Sequence, residues 1–532
     1  MKTKSHNISS TKSTTVLLAK NKKKRASDAK VAFGIDKRTK NKTLNNLPSV
    51  ALGDLAEDNM LTYGTYTIMS RAIPMLYDGL KPVHRRVMYS MDKLGLLNSV
   101  AHRKSAKVAG DTMGNYHPHG DMAIYGAMVG ISTGNGSTPN ALIDGQGNWG
   151  DFDGTGPAKG AASSRYTECR MTKLATEQLV NRRYMDPNKK AVIPYVPNYD
   201  GTLEEPLYLP ALIPMLFLLG AEGIATGVTV NMPAYTYDSV IAATKSLLKT
   251  GKGRIASKRL VPVQRWGGKC LATQDELDAY HESGIAAFAW QAPYEVIRGK
   301  GPTVLRMTGL PPITYKTLYD GVLKIKGVGS FLNLSSDENG LLFEITIKDE
   351  ACLAAVKKKL VVNENYKSAA TLLVKSDDAD SPLKVAFETW APNVILEKWL
   401  EWRLELERRV IKAMIRDNDE EIRRLNLSVR AASKLDLIVE VLKAKGGDKV
   451  AMLEKKLKVS NAEAKEIWQM AVRQLDKLNA DDTRSRLKRL EADNKVLKAE
   501  YKAPADRILK QLEAEHKTVT KKVANKVGKP AK

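Results

Sequence analysis

Only three cysteines, Cys169, Cys270 and Cys352, occur in 532 residues, none in a CxxC pair, and the seven histidines form no metal-finger spacing. That excludes a disulfide scaffold and a zinc finger, and fits a reducing cytoplasm. There is no Gly-x-x-x-x-Gly-Lys-Ser/Thr loop, so the chain lacks the usual cradle for nucleotide phosphates. Long apolar runs are missing too. Leu207 to Val230 comes nearest, but Pro210, Pro214 and Glu222 interrupt it, whereas a spanning helix needs ~20 apolar residues. A buried loop and strand is expected there, with no membrane partner. Val16–Ala19 is too short for a secretory core.

Acidic residues are also in short supply. Lys and Arg number 84 against 59 Asp and Glu, a formal net charge of +25, which suits a polyanion partner. Much of the excess lies at the ends: residues 1–45 carry 13 Lys or Arg and two Asp, and residues 517–532 carry six Lys and no acid. The first stretch has too few apolar residues to build a core and is expected to be a disordered basic extension. The length implies two to four domains.

The most distinctive stretch runs from Gly145 to Glu168. Six glycines between Gly145 and Gly160 lead to Ala161-Ala162-Ser163-Ser164-Arg165-Tyr166-Thr167-Glu168. Glycine permits close backbone approach, and the small residues leave room beside the Arg-Tyr pair. A free tyrosine hydroxyl, with a pKa of about 10, needs a cation, base or metal before it becomes a good nucleophile. Arg165 stands next to it and is always charged. Asp151-x-Asp153 is an acidic pair in the same stretch, better read as turn chemistry than as a metal site. Cys169 reads as a small packing residue rather than a reactive thiol.

Other segments carry charge on helical spacing. After Asp78-Gly79-Leu80, Pro82 suits a helix start, Val83, Val87, Met88, Met91 and Leu94 give an apolar face, and Gly95 ends it. Lys81, His84, Arg85 and Arg86 crowd the other face. Lys104–Met113 and Asp121–Val129 read as a helix-turn-helix pair joined through His117-Pro118-His119, with Asp121 able to cap the second helix.

These motifs together resemble the A subunits of bacterial and large-phage type IIA DNA topoisomerases, whose active-site segment pairs Gly-Gln-Gly-Asn-Phe-Gly with Ala-Ala-x-Arg-Tyr-Thr-Glu. Here Trp149 stands for the Phe, and the linker is a few residues longer. The resemblance covers roughly residues 50–515 and is strongest between Arg71 and Gly227. It implies that Tyr166 is the nucleophile and Arg165 its transition-state partner. It further implies DNA contacts from Arg71, Lys81, His84, Arg85, Arg86, His117 and His119, and a DNA-bending wedge at Ile224. No metal site is expected on this chain. Mg²⁺ and ATP are expected on a partner B-type subunit, in a heterotetramer built on a homodimer. Family members generally carry Ser and an acidic residue where this chain has Met122 and Gly126, which implies a weak quinolone response and leans towards a phage source.

The expected fold is α+β and multidomain. Residues 46–235 would form an N-terminal helix and winged-helix DNA-gate domain, and residues 236–392 a mixed α/β tower with strands at Thr303–Pro312 and Leu342–Ile347. Residues 393–515 would form a long antiparallel coiled coil with a helical C-gate, before a basic tail at 516–532. One seam runs through Ile411, Ile415, Asn418, Ile422, Leu425, Val429 and Ala432, and another through Leu487, Leu490, Asn494, Leu497 and Tyr501. Gly446-Gly447 breaks the first helix, and Ser460 with Glu463 forms a capping box. Folded back, Asn418 and Asn494 should face each other. The resemblance thus implies ATP-dependent strand passage, and with no wrapping-domain pattern evident, relaxation and decatenation without supercoiling. Two other readings stay open: a non-enzymatic architectural protein that bends DNA, and a gyrase-like breakage-reunion chain.

Overall fold

The computed structural model describes residues 52–132, 141–150, 160–185, 192–225, 228–264, 266–299, 301–335, 340–367, 370–375, 385–469 and 480–526. The expectations for residues 1–45, Asp151 and Asp153 lie outside them. Helices and several separate sheets alternate along the chain, so the fold is α+β and multidomain.

The helix Leu52–Thr67 runs into a π-helical turn, Ile68–Ala72. Pro82 opens the helix Pro82–Lys93 at its first position, where the missing N–H costs nothing, and buries Val87, Met88 and Met91. Gly95 follows with φ +68°, as the sequence suggests. Helices Ser105–Asn115 and Asp121–Gly130 form the helix-turn-helix pair. Asp121 is the first residue of the second helix, however, and Gly120 occupies the cap position without a side-chain bond. A small antiparallel sheet lies beside them, with Glu168–Met171 between Arg103–Lys104 and Ile143–Gln146. Three helices with this sheet make a winged-helix arrangement.

The hydrophobic cores do not divide at residues 235 and 392. The first core also takes in Tyr235, Val240, Leu247 and Leu260, the strand residues Leu372 and Leu373, and the start of the long helix through Val410. A separate core lies under the four-stranded sheet ordered Tyr294–Ile297, Thr303–Met307, Phe343–Ile347, Val328–Asn333. Both expected strands are present in it, the first ending at Met307 and not at Pro312. Phe343, Ile345 and Ile347 point inward while Glu344 and Thr346 stay partly exposed. A five-stranded sheet joins Ile285–Gln291 and Val361–Lys367 to the hairpin Ala221–Ala225/Val228–Met232. The run from Leu207 thus resolves into a loop, the short buried helix Met215–Leu219 and this hairpin. No helix among the described residues is long and apolar enough to cross a membrane.

The helix Pro392–Ser433 carries the chain outward and Ala480–Lys502 returns antiparallel to it. The break after Ser433 comes earlier than Gly446-Gly447, which instead separates the tip helices Leu435–Lys443 and Lys449–Leu457. The Ser460–Glu463 capping box is present. Near the tip the buried line shifts to Leu427 and Ala431, because helices from 435 to 469 pack on that side. Tyr501 is exposed, since the chain turns at Ala503 into Pro504–Lys526. That last helix packs Ile508 and Leu512 into the first core and runs on past residue 516, where a tail was expected. At the stalk's base Glu407, fully buried, accepts from Tyr184 Oη at 2.6 Å, Arg403 Nη1 at 3.0 Å and Arg507 Nε at 2.7 Å. Burial opposes its ionisation, but these donors win and hold its pKa below the usual carboxylate range.

Candidate nucleic-acid interface and active site

Tyr166 stands two residues before the central strand of the winged-helix sheet and is 63 % exposed. Its neighbour Thr167 is fully buried and locked: its Oγ1 lies 2.9 Å from Ser105 Oγ and 2.9 Å from Tyr125 Oη. Tyr125 Oη also donates to the Ala162 carbonyl at 2.8 Å, and the backbone N–H of Ala106 donates to the Ser164 carbonyl. The loop is therefore fastened on either side of the tyrosine while the phenol faces outward. Arg165 lies against it, its guanidinium carbon 4.7 Å from the ring centroid, within cation–π range.

The glycine approach has a packing reason. A Cβ at Gly145 would meet the Trp149 indole at 2.6 Å, and Trp149 is buried there with Nε1 donating to the Gln146 carbonyl. Gly147, Gly150 and Gly160 take positive φ. Cys169 is buried in the sheet and burial pushes its thiol up to about 12, so it is an inert packing residue.

Most of the expected DNA-contacting residues gather in a second place. One cavity of about 260 Å³ is lined by Tyr63, Thr67, Ser70, Arg71, His117 and His119 among others. A second, of about 470 Å³, is lined by Thr67, Arg71, Lys81, His84 and Ile224. Arg71 and Thr67 border both, so the two form one cationic groove. The π-helical turn puts Arg71 there, and such turns recur at functional sites. Burial lowers the pKa of Lys81, with Glu222 opposing, and brings His84 down to about 4 with help from Lys81 and Arg85. Ile224 is 79 % exposed near the hairpin's end, and Gly223 seats that strand because a Cβ there would strike the Ala72 carbonyl at 2.4 Å.

Two residues of the cationic helix behave otherwise than expected. Arg85 turns inward: Nε meets Asp78 Oδ2 at 2.6 Å, and Nη2 meets Asp78 Oδ1 and the Leu80 carbonyl at 3.0 Å each. The same carboxylate accepts from the Leu80 and Leu209 amides. Arg85 thus organises the loop and is not available to a phosphate. Arg86 is held by Glu205 through two bonds of 2.7 Å and by His117 Nδ1 at 2.9 Å.

The helix Asp121–Gly130 ties the two places together, since Ala123 lines the smaller cavity and Tyr125 clamps the tyrosine loop. Tyr125, Thr167 and Ser105 escaped the sequence reading because isolated hydroxyls carry no spacing signal. Glu205 escaped because its partner is 119 residues away. Met122 is 85 % exposed and a Cβ at Gly126 would meet nothing, so the two departures alter surface chemistry without changing the packing. Among the described residues no group of three or more His, Cys, Asp or Glu could hold a metal ion.

Comparison with known proteins matches residues 71–513 to the family of DNA gyrase/topoisomerase IV A subunits. The DNA gyrase A subunit of Helicobacter pylori is 31% identical over 479 residues, covering 86% of this chain and 55% of that protein. Those of Streptococcus pneumoniae and Staphylococcus aureus are 30% and 32% identical over 83% and 80% of this chain and 53% and 47% of their own lengths. The chain spans about half the length of these relatives. With a match that runs from the π-helical turn through the groove, the tyrosine loop and the stalk, the chain belongs to the family of DNA gyrase/topoisomerase IV A subunits.

Proposed function

We propose that this chain is the breakage-reunion component of a type IIA DNA topoisomerase, with Tyr166 as nucleophile. The observation that carries the reading is Tyr166 itself, an exposed phenol with a guanidinium on its face, in a loop whose next residue is buried and hydrogen-bonded. In the reaction the phenolic oxygen bonds to a backbone phosphorus as the bond to the 3′ oxygen breaks. The phenol's proton is lost to solvent or a base, and the departing oxygen gains one. A 5′-phosphotyrosyl end and a 3′ hydroxyl result, and the reverse attack reseals the strand. One phosphodiester replaces another, so breakage and resealing need no added energy.

Arg165 offsets charge on the phosphoryl oxygens, while Arg71, Lys81, His84, His117 and His119 line a groove whose chemistry suits a backbone phosphate. Ile224 is exposed as an intercalating wedge needs to be. In this reading two copies pair through the DNA gate and the coiled-coil tip, and a B-type partner would bring ATP hydrolysis and Mg²⁺, whose charge would offset negative charge developing on a phosphate or leaving oxygen. A second duplex passes through the opened gate, relaxing or decatenating DNA in the nucleoid or in a phage-infected host.

The test is a denaturant-resistant protein–DNA adduct formed with the partner, Mg²⁺ and duplex. Tyr166→Phe abolishes it on this reading. An adduct that survives the change moves the nucleophile elsewhere, and a wild type that never forms one favours a purely architectural DNA-bending role. The relatives that are DNA gyrase A subunits support a second reading within the same chemistry. ATP-driven supercoiling of relaxed circles, as against relaxation alone, separates the two.

A further inference from the structure

We propose that Glu205, acting through Arg86, is a positioning residue that fixes His117 as a neutral imidazole with its proton on Nε2, a directional donor for a backbone phosphate in the groove. The proposal rests on the breakage-reunion reading of that groove.

The hydrogen bonds leave little freedom. A guanidinium has N–H donors and no acceptor. Arg86 spends Nε and Nη2 on the two oxygens of Glu205, and its Nη1 meets His117 Nδ1 at 2.9 Å. Nδ1 must therefore accept, and the ring's proton resides on Nε2. A ring flip that would present Nε2 to Arg86 instead is opposed, since the ring stacks on His119 at 4.5 Å and 17° and is only 8 % exposed. Glu205 is itself buried, on the strand Glu204–Pro206, so Arg86 is held from behind.

The charges point the same way. The groups facing His117 are Arg86 from the helix Pro82–Lys93, His119 from its own loop and Arg71 from the π-helical turn, with Glu205 behind Arg86. Burial first, then Arg86, His119 and Arg71, lower its pKa to about 4. A neutral donor keeps one protonation state across the working pH range. Arg71 and Lys81 bring the fixed charge to the groove, and His117 brings direction.

Removing Arg86 alone would strand a buried carboxylate and endanger the fold, so the informative variant replaces both partners, Arg86→Met with Glu205→Met. The first measurement is duplex affinity of the full chain from pH 5.5 to 8.5. Wild type shows no inflection from His117. In the double variant the cation facing Nδ1 is gone, while burial, His119 and Arg71 still oppose protonation, so Nδ1 can take a proton and affinity rises towards the acid end of the range. Adding His117→Gln removes the inflection while keeping a neutral donor. A double variant as flat as wild type overturns the proposal, as does an inflection that persists with His117→Gln.

The second measurement is adduct formation with the partner and Mg²⁺. Glu205→Gln slows it by about tenfold or more, the cost of a misplaced group, with duplex affinity at pH 7.5 within about twofold of wild type. Adduct formation at the wild-type rate in Glu205→Gln overturns the positioning role. A wild type that makes no adduct overturns the breakage-reunion reading, and the affinity series still decides the tautomer.

Discussion

Asn418 Nδ2 donates to Asn494 Oδ1 at 3.0 Å across the two antiparallel helices of the stalk, and Asn494 Nδ2 donates in turn to Asp419 at 2.7 Å. Asn494 is only 4 % exposed, so its amide depends on these partners. A polar pair in an apolar seam fixes register at some cost in stability. Asn418→Leu leaves the Asn494 carbonyl without its donor and is expected to cost about 1–3 kcal/mol. Asn418→Leu with Asn494→Leu is expected to recover most of that loss and to loosen the register. Chemical denaturation of both singles and the double gives the coupling energy, and additivity within ~0.5 kcal/mol would show that the pair does not interact.

Arg85 provides a sharper contrast. Its sequence context places it among phosphate-binding cations, yet its side chain is 8 % exposed and that of Asp78 is fully buried. Arg85→Ala leaves the buried carboxylate with its two amide donors but no counter-charge, and about 3–5 kcal/mol of stability is expected to go with it. Denaturation midpoints check this. The salt dependence of duplex affinity, read on the fraction still folded, should keep its slope, because no phosphate contact is lost. Lys81→Ala should show the opposite pattern, a shallower slope and a small change in stability.

Buried neutral histidines give the fold an acid-side weakness. Burial holds His281 at about 4 against a weaker opposing pull from Asp278, and its Nε2 lies 3.0 Å from Tyr235 Oη. Unfolded, the same group titrates near 6.5. Between those values the unfolded chain binds a proton that the folded chain refuses, so this contribution is fully present above pH 6.5 and is lost as pH falls towards 4. His281→Gln, which keeps a hydrogen-bonding group for Tyr235, should flatten stability against pH between 7 and 5 by up to about 1.4 kcal/mol per pH unit. An unchanged slope would mean that the imidazole is already protonated in the fold.

What could be read in the sequence follows the range of the forces involved. Helix starts and ends were legible because Pro82, Gly95 and the Ser460–Glu463 box act within a turn or two. The facing asparagines were legible because a heptad seam sets height along a rod. Cation clusters were legible as clusters, but not the direction in which each member points: Arg71 borders the groove while Arg85 goes to Asp78. The core boundaries were hidden as well. The strand at 370–375, itself paired with 385–390, returns through Leu373 to pair with residues 74–76, a contact across about 300 positions that no local pattern announces.

Arg165 and Thr167 flank the same tyrosine and should fail in different ways. Arg165 is exposed and lies on the Tyr166 ring, so Arg165→Ala is expected to change folding stability by less than ~0.5 kcal/mol. Adduct formation should nevertheless fall by roughly 10²–10³-fold, the range seen when one transition-state donor is removed. Arg165→Lys keeps the charge without the planar stack and should lie between. Thr167→Val instead removes a buried hydroxyl that donates to Ser105 Oγ and lies 2.9 Å from Tyr125 Oη, at a cost of about 1–3 kcal/mol. With the loop less firmly held, adduct formation should fall in step with stability and recover on cooling. Loss of adduct in Arg165→Ala that tracks its melting temperature would mean that Arg165 serves the fold and not the phosphate.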